Sequence, residues 1–192
     1  MYTHRPYVKA EYLSINNFVN DGFKRVCDVV QLTNGKWFYE NIDQDLMYSD
    51  HSSWVYFIVI DGDIVKCGET GNPLGIRKTL KKDSYRRSDG SIIREDQPIA
   101  GTMSRFGRLA NQSGGSSDTD VSLRESISPF YKNGKTISLW ARKCKIVESE
   151  PMMIFGKMRT ASTTIHKALE MEYLEFFKRE AHTLPLLNKS TK

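Results

Sequence analysis

Apolar residues along this chain gather into short blocks parted by polar turns, the pattern of a small sheet with few helices. Val29-Val30-Gln31-Leu32 and Trp37-Phe38-Tyr39 flank Asn34-Gly35, a dipeptide that accepts positive φ, and predict a hairpin near residues 28–40. Trp54 to Ile60 (WVYFIVI) and Ile64 to Gly68 (IVKCG) flank Asp61-Gly62 and predict a second. Pro73 suits the first turn of a helix that would run through Arg77 to about Lys82. Lys135 to Val147 (KTISLWARKCKIV) alternates as a third long strand. A closing helix is expected from about Thr163 to Glu180, capped by Ser162 or Thr163.

This order predicts an α+β fold, a small antiparallel three-stranded sheet flanked by helices. An N-terminal accessory module would occupy residues 1–50. The main domain would span 51–192, with a polar insertion at about 86–134. That insertion includes NQSGGSSDTD from Asn111 to Asp120, which reads equally as a flexible loop or as a binding loop that orders on contact.

Register decides what the second hairpin can do. A two-residue turn at Asp61-Gly62 would send Tyr56 and Lys66 to opposite faces. A three-residue loop, Ile60-Asp61-Gly62, would set Tyr56 across from Lys66 and Phe57 across from Val65. It would also gather Val55, Phe57, Val59, Val65 and Cys67 into one apolar face. Burial of such a face opposes slippage, so the three-residue loop is the expected one.

Composition narrows the class. The chain has 192 residues, is 39% hydrophobic and contains no run of about 18 apolar residues, so no membrane span is expected. The opening MYTHRPYVKAEY lacks the apolar stretch of a signal peptide. Cys27, Cys67 and Cys144 are scattered and odd in number, which suits reduced thiols in a cytoplasm rather than a disulfide or zinc framework. Net charge is +5, and Arg77 to Arg108 alone holds nine basic against four acidic residues. All of the excess therefore lies in that segment, which points to phosphate contact through Lys78, Lys81, Lys82, Arg86, Arg87, Arg105 and Arg108.

The run VYFIVIDGDIVKCGETGNPLGIR resembles the signature of the GIY-YIG nucleases. Val55-Tyr56-Phe57 stands at Gly-Ile-Tyr, with Tyr56 on the family tyrosine. Lys66-Cys67-Gly68 stands at Tyr-Ile-Gly, the lysine being a variation seen in some restriction enzymes of the family. Arg77, nine residues past Gly68, matches the family arginine. ALEMEYLEFFKREAHTLPLLN resembles the family's last helix, with its glutamate and a terminal asparagine.

The resemblance covers roughly residues 54–85 and 137–188, and it implies a catalytic set of Tyr56, Lys66, Arg77 and Glu170. Tyr56 would be the general base, its phenolate favoured by the Lys66 cation. Arg77 would hold a phosphate oxygen and Glu170 one Mg²⁺ or Mn²⁺. Glu172 remains an alternative ligand on the same helix. Tyr85 and Asn188 are further candidates for DNA contact, and His166 reads as structural.

The implied activity is Mg²⁺-dependent, sequence-specific cleavage of double-stranded DNA. A short self-contained chain with an insertion looks most like a type II restriction endonuclease working as a homodimer on a palindrome. The alternatives are a phage-type DNA-degrading nuclease and a non-catalytic DNA-binding protein.

Overall fold

The computed structural model describes residues 13–31, 37–75 and 127–188. Its strands are β1 (Lys24–Gln31), β2 (Trp37–Glu40), β3 (Trp54–Ile60), β4 (Asp63–Thr70) and β5 (Ile137–Lys143), followed by the short β6 (Ile146–Glu148), β7 (Met152–Ile154), β8 (Lys157–Arg159) and β9 (Ser162–Thr164). Helices are the single turn α1 (Gln44–Met47), α2 (residues 127–132) and α3 (His166–Glu180).

The two hairpins form where their turns predict them, and their strands run antiparallel. They do not stay apart. β5 lies between them and pairs with both β1 and β3, giving one antiparallel sheet in the order β2-β1-β5-β3-β4. The sheet therefore has five strands, not the expected three. Period-two alternation shows that a segment is a strand but not which distant strand it will meet.

β3 is buried along its whole length, which accounts for the unbroken apolar run WVYFIVI. Each of its faces feeds a separate core. Trp54, Tyr56, Ile58 and Ile60 pack with Tyr39, Met47, Val65, Leu74 and Leu139. Val55, Phe57 and Val59 pack on the other side with Phe18, Phe23, Ile64, Tyr173, Leu174 and Phe177. The rings of Phe23 and Phe57 stack at 4.1 Å, and Phe18 meets Phe57, Tyr173 and Phe177 edge-on or tilted. Such aromatic contacts, each worth about 0.5–1.5 kcal/mol beyond burial, clamp α3 onto the second face.

Two element boundaries differ from expectation. The third strand ends at Lys143 rather than Val147, because β3 offers no partner beyond Trp54, which pairs with Lys143. Cys144 then turns away, its N–H donating to Ser53 O at 2.8 Å and its carbonyl lying 2.9 Å from His51 Nε2. Ile146–Glu148 pairs instead with Ser162–Thr164. Ser162 and Thr163, expected as the cap and start of the last helix, lie with Thr164 in a strand, and α3 begins at His166 without a side-chain cap. The turn at Asn34-Gly35, most of the helix expected after Pro73, and the insertion up to residue 126 lie outside the described residues.

Candidate functional site

The second hairpin turns through two residues, not three. Asp61 and Gly62 both take left-handed backbone angles, with φ of 48° and 92°. Ile60 consequently pairs with Asp63. Asp61 is tied from outside the hairpin, since Thr136 N–H donates to its Oδ1 at 2.8 Å and Lys135 Nζ lies 2.7 Å from its Oδ2. The hydrogen bond and charge of Lys135, joined by the bond from Thr136, hold the Asp61 carboxyl below its ordinary range.

This turn alone would put Tyr56 and Lys66 on opposite faces. A bulge intervenes. Val59 pairs with Ile64, but Ile58 pairs with Lys66, leaving Val65 as the extra residue. Beyond it Phe57 pairs with Cys67 and Tyr56 with Gly68. Tyr56 and Lys66 therefore share a face, but as diagonal neighbours rather than directly opposed. Such neighbours lie roughly 7–8 Å apart at the backbone, within reach of a phenol and a lysine. Ile64 and Val65 exchange the places expected of them: Ile64 joins the core of Phe57 and Cys67, and Val65 that of Tyr56.

Gly68 explains where the phenol goes. A Cβ at Gly68 would fall closer than 3.0 Å to Cζ and Oη of Tyr56, so the ring crosses β4 through the space a side chain would occupy. The hydroxyl oxygen itself is buried there. Tyr39 lies beside Tyr56. Burial first, then the nearby Cys27 and Tyr56, push its phenol well above the ordinary tyrosine range.

Glu170 comes from the other face. On α3 the buried stripe runs through His166, Tyr173, Leu174 and Phe177, and Glu170 falls on it at helical spacing. Glu170 is half-buried, while Glu172 and Glu175 are exposed, Glu175 pairing with Lys178 at 2.6 Å. The Cys67 thiol registers both flanking charges. Burial raises its pKa most, Glu170 raises it further, and Lys66 lowers it.

Two fixtures hold β4, and neither is evident from spacing. His166 is buried, with Nδ1 3.2 Å from Ser53 Oγ and Nε2 3.2 Å from Glu69 Oε2, so the start of α3 is pinned to β4. Asn188 acts as a side-chain strand. Its Oδ1 accepts from Cys67 N–H at 2.8 Å and its Nδ2 donates to Cys67 O at 2.8 Å, while Leu187 N–H donates to Val65 O at 2.8 Å. The exposed edge of β4 is covered in this way. Asn188→Ala leaves two backbone groups of Cys67 unmatched, and a loss of about 1–3 kcal/mol is expected from the shift of the urea midpoint. Asn188→Asp is expected not to restore it, because a carboxylate oxygen would then face the Cys67 carbonyl.

Of the residues singled out in the sequence, Tyr56 and Lys66 thus share one face of the hairpin, Asn188 caps the edge of β4, and Glu170 stands on α3, which packs on the other face. Arg77, Lys78, Lys81, Lys82, Tyr85, Arg86, Arg87, Arg105 and Arg108 lie outside the described residues. Among the described residues no three His, Cys, Asp or Glu side chains cluster as a metal cage, no helix is long and apolar enough to cross a membrane, and all three cysteines are free and buried.

No protein-family model matches the chain, and no curated protein does. Among solved structures, the chain is similar to a mutant of bacteriophage T4 EndoII, with a TM-score of 0.56 and 14% identity over 92% of this chain and 99% of that one. The restriction endonuclease HPY188I in complex with product DNA matches at a TM-score of 0.44 and 18% identity, over 99% of this chain and 100% of that one. The first likeness extends to the fold.

Proposed function

We propose that this protein is a metal-dependent DNA endonuclease of the GIY-YIG type that hydrolyses phosphodiester bonds, in the manner of a type II restriction enzyme acting as a homodimer on double-stranded DNA. The observation that carries the reading is the bulge at Val65, which returns Lys66 to the face of Tyr56 beside the strand that Glu170 approaches. The fold shared with bacteriophage T4 EndoII supports it.

In this reading Tyr56 takes the proton from the attacking water. An ordinary phenol, with a pKa near ~10, holds its proton too tightly to do so at neutral pH. A cation on the same face favours the phenolate, and Lys66 supplies it. Arg77, assigned from its spacing after Gly68, holds a non-bridging phosphate oxygen with its planar fork. The basic residues from Lys78 to Arg108, with Tyr85, grip the backbone and position it.

The donor set suits Mg²⁺ or Mn²⁺. A half-buried carboxylate on α3 suits an ion that takes few protein ligands and keeps several waters. Glu170 would hold it. When bound, such an ion supplies charge relief on the phosphate and the leaving oxygen.

Digestion of plasmid DNA by the purified chain tests the reading. Cutting is expected with Mg²⁺ and none in EDTA, and discrete fragments are expected on a gel. A smear would favour the DNA-degrading alternative. Tight binding without any cutting would favour the non-catalytic one, and cutting undiminished in EDTA would defeat the metal-dependent mechanism.

A further inference from the structure

Between β5 and α3 the chain leaves the sheet as a two-stranded ribbon. β6 pairs with β9, Ser149 N–H donates to Ala161 O at 2.8 Å, and β7 pairs with β8 up to a turn at Phe155-Gly156. The ribbon's tip is built against ordinary solubility. Phe155 is 98% exposed, Met153 65% and Met158 61%, with Met152 also exposed. Phe155 further holds a left-handed backbone, with φ of 51°, at a position where asparagine or glycine would be unstrained. A bulky apolar residue there costs the fold twice, in strain and in exposure, and among the described residues no packing offsets either.

Cross-strand partners share a face. Met153 pairs with Met158 and makes one face wholly apolar, while Met152 pairs with Arg159 and Ile154 with Lys157 on the other. The ribbon carries Lys157 and Arg159 beside its tip, while its two acids, Glu148 and Glu150, lie at the base. The exposed apolar area of Met152, Met153, Phe155 and Met158 is on the order of 500 Å², below the ~800 Å² per partner of a stable protein interface. A polyanion with an apolar interior fits better. A two-stranded ribbon enters a DNA groove, and Phe and Met are residues that DNA-bending proteins wedge between base steps.

We propose that the ribbon of residues 146–164 is a DNA-inserting arm, with Phe155 as the wedge and Lys157 and Arg159 on the flanking phosphates. The proposal rests on the DNA-cutting function above and adds to it a second contact remote from the β4 rim. Unstacking at the wedge would unwind or bend the duplex, so sequence would be read partly through the ease of deforming it.

The test uses the full chain in EDTA with relaxed plasmid DNA, closed by a metal-independent topoisomerase so that unwinding is fixed as a change in linking number. Wild type is expected to bind and to shift the linking number. Phe155→Ala should bind about tenfold to a hundredfold more weakly and lose the shift, whereas Phe155→Leu keeps most of both. Lys157→Ala should weaken binding and lower the salt slope by about one. Phe155 is 98% exposed, so its truncation is expected to leave the fold intact. Unchanged affinity and linking number for Phe155→Ala would overturn the proposal. So would a change in its sedimentation from oligomer to monomer with DNA affinity per protomer intact, which would make the tip an interface between copies. If such variants behave like wild type while wild type cuts with Mg²⁺, only the wedge fails. If wild type neither binds nor cuts DNA, the endonuclease reading fails with it.

Discussion

Glu170→Ala is expected to cut plasmid DNA at least about a thousandfold more slowly than wild type in Mg²⁺, while Glu172→Ala and Glu175→Ala cut at nearly the wild-type rate. The three glutamates lie on one helix and are alike in chemistry, so position must separate them. Glu170 stands on the stripe of His166, Tyr173 and Leu174 that faces the sheet, and its charge is felt by the Cys67 thiol on β4. Glu172 and Glu175 are exposed, and Glu175 is paired with Lys178. Removing an exposed carboxylate changes stability by only a few tenths of a kcal/mol. Removing the one that would hold the metal forfeits several kcal/mol of charge stabilisation in the transition state. DNA affinity in EDTA should stay near wild type for all three variants, because none of these glutamates is assigned a contact with DNA. A silent Glu170→Ala with an inactive Glu172→Ala would move the ligand one residue pair along the helix and contradict the geometry described.

Much of this arrangement is legible in the sequence, and the exceptions share a cause. Local chemistry speaks plainly. Asp61-Gly62 and Asn34-Gly35 announce hairpins, and the unbroken WVYFIVI announces a strand covered on both faces. The buried stripe of α3 follows the apolar spacing of Tyr173, Leu174 and Phe177. Long-range pairing is silent. Nothing in Lys24–Gln31 says that it will meet Ile137–Lys143, so one five-stranded sheet read as a separate hairpin and a three-stranded sheet.

The hairpin register fell between two legible choices. Core pattern favoured a three-residue loop. The tie of Asp61 to Lys135 and Thr136, more than seventy residues away in sequence, goes with the two-residue turn, and the bulge at Val65 brings Lys66 back to the face of Tyr56. Asn188 shows the same limit from the other side. A terminal asparagine carries no sign that its amide will complete the edge of β4. The ribbon was hidden because Met152, Met153 and Phe155 look like core residues, and only the structure places them in solvent.

Gly68→Ala tests the site most directly, because it alters the surroundings of Tyr56 without replacing a catalytic group. The methyl would intrude on Cζ and Oη of Tyr56. The β4 backbone cannot retreat easily, being bonded to β3 on one side and to Leu187 and Asn188 on the other. The ring must therefore move, and with β3 buried on both faces it has little room to do so. A stability loss of about 1–3 kcal/mol is expected from overpacking, together with a fall in cleavage rate of about a hundredfold or more as the phenol leaves its place.

Tyr56→Phe separates the two effects. It keeps the ring and removes only the hydroxyl, so stability should change by less than about 1 kcal/mol. Cleavage should nevertheless fall by about 10²- to 10⁴-fold, the contribution of a positioned base. The two variants thus lose activity for different reasons, one by displacement with a lowered unfolding midpoint and one by chemistry at a near-normal midpoint. Wild-type cleavage by Gly68→Ala would mean that the phenol has no fixed place across β4, and wild-type cleavage by Tyr56→Phe would remove it as the base.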